Sequence, residues 1–554
     1  MKEELLERVR EWLAIDPDAH DRATIEHLLA QRDESEIRRR FDEPLSFGTA
    51  GLRGPEMAGP AGMNRCTVRR ATQGVVAWLE DIKMDSGRGV VVGRDARHGS
   101  EVFNDEVVGV LLGAGVRVFE MPRPLPTPLT AYALRALGAA AGIMITASHN
   151  PPADNGFKLY GADGSQIIAP HDDIVESHAR NAGPAAWAER TSERYQLVDE
   201  GLINGYLEHM ARRFGVVQSE LPIAYTPLFG VGGATMLELL FRSGFSRVTP
   251  VQEQFQADPF FPGLPFPNPE EAGVLDAGIA CADRVGAILL IANDPDADRL
   301  GAAARHVDGS WRTLRGDEIG WLLGAGAIEA ARDDDVVASS IVSSSMLEEM
   351  AARAQVTHVT TLTGFKWISK AAPGRRLTFG YEEALGYAVD PCVADKDGLS
   401  AALALVRLAH DLSQHDQTLL DRLDELETLY GVHAGTQISL RVSPPQGREA
   451  LNGVMRRIRA VPPVALGGLK LSDVVDLEAG WRDLAPTSGL MWRLGEMGRV
   501  IVRPSGTEPK LKAYVEVIGP ASTQDLAGDR ARCFERLQNI RRDLEILLAL
   551  DHED

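Results

Sequence analysis

The sequence predicts an α/β protein of several domains, and three observations carry that prediction. The chain has 554 residues, too many for one hydrophobic core, and at roughly 100–200 residues per domain three or four domains are expected. From about residue 40 to about 430, short apolar runs alternate with helical stretches, and the runs break into polar loops at their ends. That alternation is the pattern of α/β layers with parallel or mixed sheets. Beyond about 430, strand-like runs follow one another between turns before one long charged helix, which is the texture of a smaller, mostly antiparallel α+β unit.

The elements follow in order. Residues 1–40 read as amphipathic helix, with Leu5, Leu6, Val9, Trp12 and Leu13 at helical spacing among Glu and Arg. Phe47-Gly48-Thr49-Ala50-Gly51-Leu52-Arg53-Gly54 is a glycine-rich turn carrying one arginine. Gly89-Val90-Val91-Val92-Gly93-Arg94-Asp95-Ala96-Arg97 reads as a short buried strand ending in a charged loop. A helix over roughly 100–113, a strand at Val116–Met121, the breaker Pro122–Pro128, a helix near 129–137 and a strand at Ala141–Ile145 complete the first layer. After Pro170-His171-Asp172 the chain reads as helical and polar to about 215.

A second α/β unit opens at Leu221–Pro227, and the turn Gly230-Val231-Gly232-Gly233 feeds a helix near Ala234. The proline-rich stretch Pro259–Pro269 is expected on the surface, before the continuous apolar run Ala287–Ala292. A third unit begins near Leu314-Arg315-Gly316-Asp317-Glu318 with a helix, followed by strands at Asp335–Ile341 and near 357–362 and an Ala/Leu-rich helix from Leu399. The last unit has strands at Gln437–Val442, Gly489–Leu494, Arg499–Val502 and Leu511–Val517, and a helix over roughly 523–550 that Ser522 would cap.

Composition narrows the function. The formal net charge is -21 and the pI about 5.1, so the chain repels nucleic acid and anionic membrane on average, and any phosphate must be held by local cationic loops. The four cysteines, Cys66, Cys281, Cys392 and Cys533, are scattered and form no C-x-x-C pair, which argues against a disulfide framework or structural zinc and fits a reducing cytoplasm. The N-terminus lacks the apolar core of a signal peptide, and no apolar run approaches a membrane span.

Four stretches carry chemistry. Gly142-Ile143-Met144-Ile145-Thr146-Ala147-Ser148-His149-Asn150-Pro151 is an apolar strand opening into a polar loop, with Asp154-Asn155-Gly156 and Lys158 just beyond. Ser148 there needs a base or a cation to become a nucleophile; His149 is placed to move a proton and Lys158 to neutralise phosphate. No G-x-S-x-G elbow surrounds Ser148, which disfavours a serine hydrolase. Asp294-Pro295-Asp296-Ala297-Asp298-Arg299 sets three carboxylates on one loop at a strand end, suited to a hard divalent cation. An EF-hand is disfavoured because Arg299 stands where its glycine would be. Arg503-Pro504-Ser505-Gly506-Thr507-Glu508-Pro509-Lys510 joins two strands and offers a guanidinium fork, hydroxyls and a closely approachable amide for phosphate. Glu382 and Glu383 suit a hydroxyl-rich sugar.

Taken in this order, Thr146–Pro151, Asp294–Arg299, Glu382-Glu383-Ala384 and Arg503–Pro509 make the chain resemble the α-D-phosphohexomutase superfamily from about residue 40 onward. Phe47–Gly54, Asp154-Asn155-Gly156-Phe157-Lys158 and Gly364-Phe365-Lys366-Trp367 resemble its phosphoglucomutase-2-like and phosphomannomutase branch, some members of which act on pentose phosphates. The resemblance implies three related α/β domains with mixed sheets and a smaller α+β phosphate-binding domain around a central cleft, with bounds at 1–205, 206–312, 313–428 and 429–554. It implies that Ser148 is a phosphoserine and that Asp294, Asp296 and Asp298, with Ser148, bind Mg²⁺. Glu382 would contact sugar hydroxyls, Gly364 and Lys366 would help choose the sugar, and Arg503, Ser505, Gly506 and Thr507 would hold the non-reacting phosphate. Arg53, Lys158, Arg299 and Lys396 would line the reacting centre.

The activity so implied is interconversion of the 1- and 6-phosphates of glucose or mannose through a sugar bisphosphate, which also serves as primer. The alternative within the class is a phosphopentomutase; outside it stand a metal-dependent sugar phosphatase and a non-catalytic sugar-phosphate sensor. The fourth domain is expected to close over a small sugar phosphate, with no nucleic acid or membrane as partner. The chain departs from the resemblance at Tyr381-Glu382-Glu383-Ala384, where many relatives carry Gly-Glu-x-Ser. Gly386 and Tyr387 also stand where some keep a histidine. Lys158 and His149 are then the candidate bases.

Overall fold

The computed structural model describes residues 3–48, 51–441, 447–504, 510–522 and 524–549. The chain forms two compact units, each from two stretches of sequence: Met1–Gly316 with Ala384–His410, and Asp317–Glu383 with Asp411–Asp554.

In the first unit the N-terminal region is three helices, Glu3–Ile15, Ala19–Gln31 and Glu34–Phe41. Asp18 and Asp33 cap the second and third by accepting backbone N–H bonds. Leu5, Val9, Trp12, Ile25, Ile37 and Phe41 bury together against Ala58 and Cys66. A six-stranded sheet follows, in the order Leu52–Pro55, Asp154–Gly161, Ala141–Ile145, Val90–Arg94, Val118–Glu120, Tyr195–Leu197. The four strands from Ala141–Ile145 outward run parallel, whereas Asp154–Gly161 and Leu52–Pro55 pair antiparallel, so the sheet is mixed. All five residues of Ala141–Ile145 are buried, as an apolar run covered on both faces requires. Met144 lies opposite Lys158 in the antiparallel register, which brings a lysine into the sheet interior beside the Ser148 loop.

The second sheet orders Trp311–Leu314, Gly301–Arg305, Leu289–Ala292, Ile223–Thr226 and Val248–Pro250. Leu289–Ala292 is fully buried and its C-terminal end opens into the Asp294 loop. In the second unit, Thr357–Thr361 and Arg376–Glu382 flank Asp335–Ser340 in parallel. A five-stranded antiparallel sheet orders Val432–Arg441, Lys510–Gly519, Gly498–Pro504, Leu490–Arg493 and Asp473–Asp476. Cys533, Leu537, Ile540 and Leu544 of the helix Leu526–Leu547 join its core. Among the described residues no helix is long and apolar enough to cross a membrane.

Four local expectations change. The stretch 171–215 is not one helical run: His171–Arg180 and Glu200–Phe214 are helices, and between them Tyr195–Leu197 adds the sheet's edge strand. Gly183-Pro184 breaks the first helix pattern, and Asp199 caps the second. The helix expected from 129 begins at Thr127, because proline is tolerated in a first turn. Pro259–Pro269 does not simply pass over the surface: Phe261 and Leu264 turn inward onto Leu228, Phe229 and Val274. The closing helix is capped by Asp525, whose carboxylate accepts from Gly528 N, and not by Ser522.

Candidate active site

The site in the first unit is two strand ends facing each other. Beyond Ile145, Ser148 adopts a left-handed backbone (φ 53°), a conformation that costs energy for a residue with a side chain and that concentrates at functional sites. The turn is bonded at both ends: Ser148 N donates to Thr146 Oγ1 at 2.9 Å and Asn150 N to Ala147 O at 3.1 Å. Gly156 runs alongside, so close that a Cβ there would lie 2.5 Å from Thr146 O. Ser148 is 1% exposed, and its Oγ donates to Asp294 Oδ2 at 2.7 Å. His149 Nδ1 lies 3.2 Å from the same oxygen.

The acidic loop is built with similar tightness. Ala297 is also left-handed (φ 54°) and closes a turn by donating its N–H to Asp294 O. Asp294 Oδ1 accepts from Arg299 N at 3.0 Å. Behind the loop, Val231 N donates to Pro295 O, and Gly230 packs so closely that a Cβ would meet the Pro295 backbone at 2.4 Å. Asp294, Asp296 and Asp298 are fully buried, and their carboxylate oxygens lie within 4.8 Å of one another. Lys158 Nζ donates to Asp296 Oδ2 at 2.7 Å and Asp298 Oδ2 at 2.6 Å, and Lys396 Nζ pairs with Asp298 Oδ2 at 3.0 Å.

Electrostatics follow from this crowding. Burial, and then the charges of Asp296 and Asp298, push the Asp294 carboxyl well above its ordinary range. Burial opposes ionisation of Asp298 too, but Lys158, Lys396 and Arg299 outweigh it and hold the group far below the usual carboxylate range. Asp296 is likewise lowered against its burial by Lys158. His149 is partly open at its surface yet ringed by protein; burial, then Arg299 and Arg53, hold its imidazole neutral at pH 7. Asp296 Oδ1 and Asp298 Oδ1 are buried and have no hydrogen-bond partner among the described residues. Two orphaned carboxylate oxygens beside a carboxyl that resists ionisation are what a divalent cation would relieve, so the three aspartates fit Mg²⁺.

Thus the first unit brings together Arg53, Ser148, His149, Lys158, Asp294, Asp296, Asp298, Arg299 and Lys396. In the second unit, Gly364 (φ 111°) starts the short helix Phe365–Ile368 that carries Lys366. Glu382 ends the strand Arg376–Glu382 and is 8% exposed. Glu383 accepts weakly from Ser340 Oγ and Ser343 Oγ. Arg503 lies near the end of Gly498–Pro504, opposite Lys512. Ser505, Gly506 and Thr507 lie outside the described residues.

Two residues of the site escaped the sequence reading. Thr127 Oγ1 donates to Asp296 Oδ2 at 2.6 Å and Thr127 N to Asp296 O at 2.9 Å. Arg97 donates to four carbonyls of the Ser148 loop. The signals were present but weak: a threonine just before a helix-starting proline, and an arginine two residues after an aspartate at a strand end. A second group with metal-ligand chemistry, His209, Asp390 and Cys392, has its carboxylate already engaged by His209 Nε2, Arg213 and the Cys392 amide.

Comparison with known proteins agrees with this geometry along most of the chain. The phosphoglucomutase/phosphomannomutase α/β/α domain I, II and III models match residues 44–185, 204–309 and 315–430, and the C-terminal domain model matches 465–532. A probable phosphomannomutase of Haemophilus influenzae is 37% identical over 83% of this chain and 93% of its own length. A probable phosphoribomutase of Schizosaccharomyces pombe is 35% identical over 92% of this chain and 93% of its own. A Paramecium parafusin (phosphoglucomutase) crystal structure shares the fold with a TM-score of 0.69 and 17% identity, covering 91% of this chain and 95% of that one. Four consecutive domain matches and two near-full-length relatives therefore assign the chain to the phosphoglucomutase/phosphomannomutase family, as a phosphomutase, an isomerase that works by phosphoryl transfer.

Proposed function

We propose that Ser148 is the phosphoryl carrier of this phosphomutase and that turnover passes through a sugar bisphosphate. One observation carries the reading: the Ser148 hydroxyl is aimed from 2.7 Å at Asp294, in a buried acidic loop with two carboxylate oxygens that lack a hydrogen-bond partner among the described residues. Asp294, Asp296 and Asp298 would hold Mg²⁺, which would supply positive charge to the phosphoryl oxygens. Phospho-Ser148 gives its phosphoryl to a hydroxyl of the sugar monophosphate. The Oγ–P bond breaks, a sugar O–P bond forms, the sugar hydroxyl gives its proton to a base, and that base returns a proton to the departing Ser148 Oγ. His149 is the better-placed base, since its ring is neutral and reaches Ser148 Oγ. Lys158 spends its N–H bonds on two carboxylates and acts as a cation. The bisphosphate then turns over and returns its other phosphoryl to Ser148; free bisphosphate primes an unphosphorylated enzyme.

Such a transfer spreads charge over the equatorial oxygens, so positioning and cations carry the catalysis. Arg53, Arg299 and Lys396 are the further cations of the first unit. Glu382, Gly364 and Lys366 are assigned to the sugar, and Arg503, Ser505, Gly506 and Thr507 to the phosphate that does not react. The four domains are assigned to 1–205, 206–312, 313–428 and 429–554. Four free thiols support a cytoplasmic setting.

The sugar is read as a pentose, ribose or deoxyribose, carried between its 1- and 5-phosphates. The support is the phosphoribomutase relative, matched over 92% of the chain. Ala384 adds to it, supplying no side-chain hydroxyl beside Glu382 for the extra hydroxyl of a hexose. The second reading, glucose or mannose between 1- and 6-phosphate, is favoured by the higher identity to the phosphomannomutase relative. A coupled assay over the four sugar 1-phosphates, primed with bisphosphate, decides between them: pentoses should win in kcat/KM by at least about tenfold. Hexose preference reverses the assignment of the sugar. Full turnover by Ser148→Ala sinks the carrier role, and stoichiometric release of free phosphate would mark a phosphatase.

A further inference from the structure

We propose that Arg97 is a positioning residue for the phosphoryl transfer, locking the Ser148 loop in the left-handed turn that aims Oγ at the acidic loop. The proposal rests on the reading of Ser148 as the phosphoryl carrier. Arg97 sits at the end of Val90–Arg94, two residues after Asp95, and its side chain is completely buried. Its Nη1 donates to Pro151 O at 2.8 Å and Asp154 O at 3.0 Å; its Nη2 donates to Ser148 O at 2.6 Å and Asn150 O at 2.7 Å. Four carbonyls of one seven-residue stretch thus converge on one guanidinium, and the first belongs to the serine itself.

The arginine is in turn held from two sides. Asp95 Oδ1 accepts from the Arg97 amide at 2.9 Å, and Asp95 Oδ2 lies 3.4 Å from Nε. Ser100 Oγ donates to Asp95 and accepts from Asn155 Nδ2, which ties the support to the far end of the same loop. The central carbon of the guanidinium lies over the Phe261 ring, 5.0 Å from the ring centroid, a cation–π distance. Phe261 belongs to the segment that tucks inward beside Leu228 and Phe229, and it is 3% exposed. The ring comes from the α/β layer that also carries Asp294, so the grip on the serine loop is completed by the layer that bears the acidic loop.

Lysine cannot replace this fork, because its three N–H groups leave one atom and cannot serve four carbonyls spread across a planar guanidinium. A buried carbonyl left without a donor turns away, and a shift of about 1 Å in a reacting group costs on the order of a hundredfold in rate.

The test compares Arg97→Lys, Phe261→Leu and the double variant in the full chain. Arg97→Lys should lower kcat about a hundredfold while KM for the sugar 1-phosphate stays within about threefold. Amide hydrogen exchange across residues 146–156 should accelerate at least about tenfold in the same variant. Phe261→Leu keeps apolar volume but removes the ring face; it should show both effects more weakly, and the double variant should be no slower than Arg97→Lys alone. Unchanged exchange in Arg97→Lys overturns the proposal whatever Ser148 does, whereas failure of the carrier reading appears separately as unphosphorylated Ser148 in the turning-over wild type by intact mass. A KM that rises as steeply as kcat falls would mark a merely structural arginine and also overturn it. If Arg97→Lys does not fold, Phe261→Leu decides: normal kcat with normal exchange refutes the proposal.

Discussion

Lys158→Met removes one ammonium from the acidic loop and leaves the side chain nearly the same length. Lys158 is fully buried, with Nζ 2.7 Å from Asp296 and 2.6 Å from Asp298. At those separations each attraction is about 6 kcal/mol for an effective dielectric of 20, most of it offset by the cost of taking the three charges out of water. The variant therefore reports the carboxylates left uncompensated, about 3–5 kcal/mol of lost stability in metal-free buffer. Lys396 still reaches Asp298, so the loss belongs at the lower end of that range. A cation changes the comparison. At a hundred times its Kd a ligand stabilises by about 2.7 kcal/mol, and in the variant Mg²⁺ meets no ammonium at Asp296 and only Lys396 at Asp298. Lys158→Met should therefore lose stability in EDTA and recover more than wild type gains when Mg²⁺ is added, while remaining inactive. Calorimetric melts with and without Mg²⁺ measure this, following the transition of the first unit, because a two-unit chain need not melt in one step. Equal melting of variant and wild type in EDTA, or an equal deficit with and without Mg²⁺, would refute the account of the loop.

Three further outcomes are expected. Thr127→Val, which removes the hydroxyl donating to Asp296 at 2.6 Å, should cost about 1.5–3 kcal/mol and weaken Mg²⁺ binding measured by calorimetric titration; unchanged affinity would make the hydroxyl irrelevant to the metal. Glu516→Gln should destabilise the second unit by about 3 kcal/mol at pH 7, because the carboxylate is engaged by Ser344 Oγ, Ser345 N, Arg499 Nε and His433 Nδ1. Burial raises the Glu516 carboxyl, but Arg499 and His433 outweigh it and hold the group well below its ordinary range. Its stabilisation is thus full above the unfolded value of about 4.3 and lost as pH falls toward the lower folded value; the gap between wild type and variant in melts should close in acid, and a gap constant with pH would contradict the assignment. Arg503→Ala should raise KM for the sugar phosphate about tenfold or more with a smaller change in phosphate incorporation at Ser148; unchanged kcat/KM would reject the phosphate clamp.

Much of the scaffold was legible because it rests on local patterns. Ala141–Ile145 and Leu289–Ala292 are uninterrupted apolar runs, and each leads into the chemistry its last residues announce: Ser148 from one, Asp294–Asp298 from the other. The sheet order was not legible, since it depends on which strands pair. That pairing is what sets Lys158 opposite Met144 and gives it two buried aspartates as partners. Arg97 reads as part of a charged loop because its four acceptors lie more than fifty residues on and its aromatic cover still further along. Phe261 reads as surface because proline-rich segments usually run there; only the Leu228–Phe229 turn gives it a pocket to enter. Polar helical spacing over 171–215 outweighs Gly183-Pro184, and the edge strand Tyr195–Leu197 is too short to show as a pattern.

The first unit closes on itself only with Ala384–His410, which the chain supplies after making most of another sheet. During synthesis, Asp298 therefore leaves the ribosome roughly a hundred residues before Lys396, a delay of about 5–20 s at ordinary elongation rates. Throughout that interval the acidic loop has Lys158 but not its second ammonium, and Asp397, whose carboxylate receives the Tyr206 hydroxyl, is also missing. A nascent chain released at 316 carries the serine and all three aspartates yet cannot finish the charge balance around them. Premature termination between 316 and 384 should thus yield a fragment that folds its two sheets and fails at the loop, which a loss of the Ser148 loop's exchange protection in a 1–316 fragment would show.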